Sequence, residues 1–105
     1  MEIKTILIPE TTIEQLAEKN GLVMEVHERG GSVRNPQRFY AHFSTCDTKK
    51  GNFLVGSFGN GSTPEEAIVN YGREISEQII VIDARGAGRR EIAVPRIIPN
   101  EKEAT

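Results

Sequence analysis

The chain has 105 residues, which is room for one domain. Its apolar share of 37% is too high for a wholly disordered chain, and no run approaches the roughly 18 apolar residues that span a bilayer. Thirteen basic against 15 acidic residues leave a net charge of -2, which excludes both a binder of nucleic acid by bulk charge and an acidic mimic of DNA. The lone cysteine, Cys46, excludes an internal disulfide framework and a multi-thiolate zinc site. The charged start carries no secretory cleavage signal, so a reducing, cytoplasmic setting is expected.

Residues 2–8 read as a first strand, rich in Ile3, Ile6, Leu7 and Ile8 and stopped by Pro9. A helix follows. Thr11 or Thr12 caps it, Glu14 or Gln15 closes a capping box, Ile13, Leu16, Ala17 and Asn20 share a face, and Gly21 ends it. Leu22, Met24 and Val26 alternate with Val23, Glu25 and His27, as in a strand with one buried face. Gly30-Gly31-Ser32 and Asn35-Pro36 mark a long loop. A strand is expected over 38–46, a polar hairpin turn over 47–52, and a returning strand over 53–58.

Gly59-Asn60-Gly61-Ser62 then breaks the chain ahead of the clearest helix. Thr63 caps it, Pro64 takes the first helical position, Glu66 closes a capping box, and Ala67, Ile68, Tyr71, Ile75 and Ile79 form its stripe. Gly72 inside that helix is expected to lie against another backbone. A short apolar strand over 79–84, a turn at Gly86-Ala87-Gly88 and an edge strand over 91–98 containing Pro95 complete a domain over 1–99. A polar tail follows over 100–105. The order β-α-β-β-β-α-β-β implies an α+β fold, an antiparallel sheet with two helices packed on one face.

Reactive side chains are few: His27, His42, Cys46, Asp47 and Asp83. A Cys-His nucleophile needs hydrogen-bond contact. His42 and Cys46 share a strand face but lie about 13 Å apart in extended geometry, so that dyad fails. His27 can sit beside His42 across a strand pair, yet two histidines alone do not make a metal site. The plainer reading has His42 as a half-exposed strand residue and Cys46 as a small buried one. The glycine-rich stretch 56–61 lies between a strand and a helix, where a phosphate loop would lie. It lacks the Lys-Ser/Thr ending and the third glycine of the nucleotide fingerprints, and Glu65 and Glu66 oppose an anion. No enzyme, no metal and no cofactor are therefore expected.

Charge is unevenly placed. Arg29, Arg34, Arg38, Lys49 and Lys50 mark one basic region and Arg85, Arg89, Arg90 and Arg96 another. The second helix between them carries Glu65, Glu66, Glu74 and Glu77. The basic loops suit docking to a partner.

From Thr11 to Gln78 the layout resembles a double-stranded-RNA-binding domain: helix, three antiparallel strands, helix. Ala17-Glu18-Lys19-Asn20-Gly21-Leu22 is similar to the exit of that family's first helix, and Gly59-Asn60-Gly61-Ser62-Thr63 with Ala67 to the approach to its last. The resemblance implies that fold with its RNA surface lost. Pro64, Glu65 and Ile68 stand where the family's phosphate-binding lysines would be, and Arg34-Asn35-Pro36 replaces its minor-groove histidine. Phe39 to Phe43 followed by Gly61-Ser62-Thr63-Pro64-Glu65-Glu66-Ala67 also resembles HicB-type antitoxins, without their Pro-Gly-Cys turn or a following DNA-binding helix-turn-helix. The small size and terminal hairpin are similar in style to bacteriophage accessory proteins.

The expectation is a small non-enzymatic binding protein, an accessory protein or inhibitor from a phage or mobile element that occupies a surface on a host protein or complex. Arg29, Arg34, Arg38, Arg85, Arg89 and Arg90 are its candidate partner-binding residues. A nucleic-acid-binding module using the same loops is the alternative, and a HicB-like antitoxin the third. No membrane contact is expected, and the edge strands offer a seam for a homodimer.

Overall fold

The two helix starts form where the sequence places caps. The Thr12 hydroxyl accepts from Gln15 N at 3.1 Å and Gln15 Oε1 accepts from Thr12 N at 3.1 Å, a complete capping box. Gly21 closes this helix in the left-handed conformation, φ 65°. Thr63 caps the second helix by accepting from Glu66 N at 3.1 Å. Its box is half-built: the Glu66 carboxylate turns away and accepts from Ser62 Oγ at 2.9 Å.

The computed structural model describes residues 1–30 and 36–99. Arg34 and the tail over 100–105 lie outside the described residues. The elements are β1 (Glu10–Thr11), α1 (Ile13–Asn20), β2 (Met24–Glu28), β3 (Phe39–Phe43), β4 (Cys46–Lys50), β5 (Phe53–Val55) and β6 (Gly59–Gly61), then α2 (Pro64–Ile75), β7 (Ile79–Ile82), β8 (Arg90–Ala93) and β9 (Arg96–Ile97). This is an α+β fold. Among the described residues the strands form three sheets instead of the expected one: β1-β9, parallel, and two antiparallel sheets, β2-β3-β6 and β5-β4-β7-β8.

Four differences from expectation have physical causes. Residues 2–8 form no strand and stand in solvent, with Ile3, Ile6 and Leu7 at 79%, 79% and 90% exposure. Their contiguous Ile6-Leu7-Ile8 run would need cover on both faces of a sheet. The pairing with the last strand occurs further along, Glu10 opposite Arg96 and Thr11 opposite Ile97.

The strand expected over 38–46 breaks at Ser44 and Thr45, where Thr45 takes φ 52°. The expected polar turn over 47–52 is therefore β4, which buries Thr48 at 1% exposure, and the chain reverses only at Gly51 and Asn52, with Gly51 at φ 61°. Of the strand expected over 53–58 only Phe53–Val55 forms, as β5, and the stretch expected to break it, Gly59–Gly61, is itself strand β6 in the other antiparallel sheet. The strand over 91–98 is interrupted at Val94 and Pro95, because proline cannot donate to a ladder.

Helix α2 lies on the sheet β2-β3-β6, and the glycines set how closely. A Cβ on Gly59 would meet Tyr71 N at 2.0 Å and Ala67 O at 2.3 Å, and one on Gly61 would meet Ala67 N at 2.5 Å. Two bare strand positions let helix backbone touch strand backbone. A Cβ on Gly72, by contrast, would meet the side chains of Ile97 and Ile13 at 3.3 and 3.6 Å, not another backbone. The resulting core contains Ile13, Leu16, Ala41, Phe43, Ala67, Tyr71, Ile75, Ile80 and Val94. Phe43 and Tyr71 meet edge to face, centroids 5.4 Å apart. No described helix is long and apolar enough to cross a membrane.

Candidate functional site

The β2-β3 register sorts side chains onto two faces. Met24, Phe43 and Ala41 point to the core under α2; Glu25, His27, Tyr40 and His42 point away from it. On this helix-free face Glu25 sits directly opposite His42 and His27 directly opposite Tyr40. The rings stack: His27 on Tyr40 at 4.6 Å and 11°, and His27 on His42 at 5.2 Å and 13°. Phe58 meets Tyr40 edge-on at 5.8 Å.

Arg29 closes the stack with its guanidinium 4.8 Å from the Tyr40 ring centroid. The same guanidinium donates to Gln37 O at 2.6 Å and Asn60 Oδ1 at 2.6 Å. Arg29 thereby ties β2 to the start of β3 and to β6.

Two imidazoles and a carboxylate converge here. One ligand atom from each of Glu25, His27 and His42 lies within 4.8 Å of the others. His42 Nδ1 lies 2.9 Å from Phe43 O, so as the donor in that contact it leaves Nε2 with its lone pair. His27 Nε2 is buried and has no hydrogen-bond partner among the described residues; Glu25 Oε1 is 3.8 Å away. The sequence showed the histidine pair but not the acid. Its signal was present: Glu25 and His27 are two apart on one strand, hence on one face.

The face opens into a cleft of about 590 Å³ where the two antiparallel sheets meet. Tyr40, His42 and Phe58 line one wall; Cys46, Asp47, Asp83 and Arg85 line the rest. Thr45 and Asp83, both lining the cleft, hold left-handed backbones at φ 52° each, and Asp83 N donates to Thr45 O at 2.9 Å. His42 and Cys46 share this cleft because of the corner at Thr45. Burial pushes the Cys46 thiol up, although its bond with the Tyr71 hydroxyl opposes that shift. Burial, the nearest thiol and other neighbours also push the Tyr71 hydroxyl up. A thiol held neutral is a poor nucleophile.

The expected arginine surface is largely occupied within the chain. Arg29 is used as above. Arg38 pairs with Glu28. Arg89 reaches Ala84 O at 3.3 Å and Glu91 at 3.4 Å; with Lys49 it holds the Glu91 carboxyl below the usual range. Arg90 donates to Asn20 O. Arg85 has no such partner among the described residues and lines the cleft.

Apolar side chains are exposed instead. Strand β5 pairs only with β4 among the described residues, and its Phe53, Leu54 and Val55 are 75%, 41% and 43% exposed. Comparison of the chain with protein-family models, curated proteins and solved structures yields no significant match.

Proposed function

We propose that this is a non-enzymatic binding protein that acts by occupying a surface of another protein, with the β5 edge as its docking strand. The observation behind this reading is three consecutive exposed apolar residues on a strand that pairs on one side only among the described residues. Sheet edges of this kind accept an added strand from a partner, whose main chain supplies affinity and whose alternate side chains supply specificity. Arg85, beside the cleft, supplies a charge for the rim. A host protein remains the partner class, and an accessory or inhibitory role the use.

The nucleic-acid alternative has less behind it. Four of the six proposed arginines are engaged within the fold, and the N-terminus of α2 presents Glu65 and Glu66 where a phosphate would dock.

The test has two arms. Labelled RNA and DNA duplexes are titrated by fluorescence anisotropy at low and physiological salt, and a host lysate is passed over immobilised wild-type chain and Leu54→Lys. The expected result is no duplex binding and a protein retained by wild type but lost with Leu54→Lys. Tight, salt-sensitive duplex binding that survives Leu54→Lys would overturn the reading.

A second reading concerns self-association. The arm over residues 1–8 exposes Ile3, Ile6, Leu7 and Ile8 with no strand of its own. It is an apolar segment without a sheet to join, and β5 is an apolar edge that pairs on one side only among the described residues. A second copy of this chain could satisfy both.

A further inference from the structure

We infer that Glu25, His27 and His42 form a binding site for a divalent transition metal of the zinc type, on the helix-free face and beside the cleft. This inference is independent of which partner the protein engages.

Five observations carry it. The donor set, two imidazoles and one carboxylate, suits zinc and its neighbours in hardness. The three ligand atoms already lie within 4.8 Å of one another, against about 3.3–3.6 Å between ligands on a tetrahedral ion with bonds near 2.1 Å. His27 Nε2 is buried and makes no hydrogen bond among the described residues, with Glu25 Oε1 3.8 Å away, an arrangement costly for a polar atom unless something else lies between them. His42 already has the outer hydrogen bond that metal-binding imidazoles use, Nδ1 to Phe43 O, which orients the ring and leaves Nε2 with the lone pair that would bind an ion. His42 also lines the cleft, so a fourth coordination position opens there to water or a ligand.

The stacking makes a specific demand. An imidazole lone pair lies in its ring plane, and two rings stacked at 13° cannot both aim at one ion. Phe43 O holds His42, so His27 is the ring that turns. Metal binding therefore lifts His27 off Tyr40 and draws Glu25 inward.

The chain has only two histidines, so its imidazole NMR signals belong to this site alone. Tag-free, metal-stripped protein is titrated with zinc chloride near pH 7.5, and affinity is measured against a chromophoric chelator. Both imidazoles and the Tyr40 ring should shift together and saturate at one equivalent. His27→Gln and His42→Gln should each lose at least tenfold in affinity, and Glu25→Gln about tenfold, with metal-free far-UV circular dichroism unchanged. Wild-type titration alone suffices to overturn the site: no saturable shift, or a shift of one imidazole without the other, means that the cluster is a ring stack only. Unchanged affinity in a folded His27→Gln variant overturns it equally.

Discussion

Gly59 of β6 lies against the backbone of Tyr71 in α2 so closely that a methyl group on it would stand 2.0 Å from the Tyr71 nitrogen. The contact fixes the helix on the sheet and places Tyr71 over Phe43. No side chain can yield there, because the obstacle is helix backbone. Gly59→Ala should destabilise the fold by about 3 kcal/mol or more. Gly30→Ala, in open space, should be nearly neutral. Urea unfolding midpoints of the two variants give the comparison; equal midpoints would mean that the helix does not sit directly on the strand.

Arg29 was expected to meet a partner, and in the fold it meets Tyr40, Gln37 and Asn60. Removing it takes a donor from Gln37 O and from Asn60 Oδ1 and strips the ring stack of its end plate. Arg29→Ala should lower stability by about 1–3 kcal/mol. Lysine should recover only part of this, since it lacks the planar fork. Arg85→Ala should leave the midpoint unchanged and weaken partner capture. The opposite assignment of stability and binding losses would return Arg29 to the docking surface.

The parts legible in the sequence are those encoded locally. Thr12 with Gln15, Gly21, and Thr63 with Pro64 carry their helix boundaries in side-chain chemistry. The corner at Thr45 carries none: a β-branched residue gives no turn signal, and its left-handed backbone is fixed by a hydrogen bond from Asp83, 38 positions away. Once that corner is missed, β4 looks like a turn, because Asp47, Lys49 and Lys50 are polar and its buried residue is a threonine. The ring stack was half legible. Strand alternation put His27 beside His42, but the cleft depends on how two sheets meet, which no local pattern records.

Cys46 gives a test of the cleft's interior. Its raised pKa means that the fold favours the neutral thiol, and the same holds for the Tyr71 hydroxyl. The stabilisation is therefore complete below the unfolded thiol value, about 8.5, and fades as pH rises toward the folded one. Urea midpoints should fall above that pH. Cys46→Ala should remove the earlier part of the decline and Tyr71→Phe the later part, which begins near pH 10. At pH 8 the native thiol should react with an aromatic disulfide at least tenfold more slowly than the unfolded chain. Equal rates would place Cys46 on the open surface and reopen its pairing with His42.

The arm and the β5 edge bear on oligomeric state. Burying Ile6, Leu7 and Ile8 of one copy against Phe53, Leu54 and Val55 of another would remove six exposed apolar side chains from water. It would also supply hydrogen-bond partners along the open side of β5. Sedimentation velocity should show a concentration-dependent dimer for the full chain. Deleting residues 1–8 should give a monomer with unchanged circular dichroism, since the arm adds nothing to the core. Leu54→Lys should weaken association tenfold or more, about 1.4 kcal/mol, by placing a charge in the seam. A full chain that stays monomeric at its highest soluble concentration would leave the β5 edge to a foreign strand. A dimer that survives loss of the arm would move the seam to another edge, with the free side of β8 the next to examine.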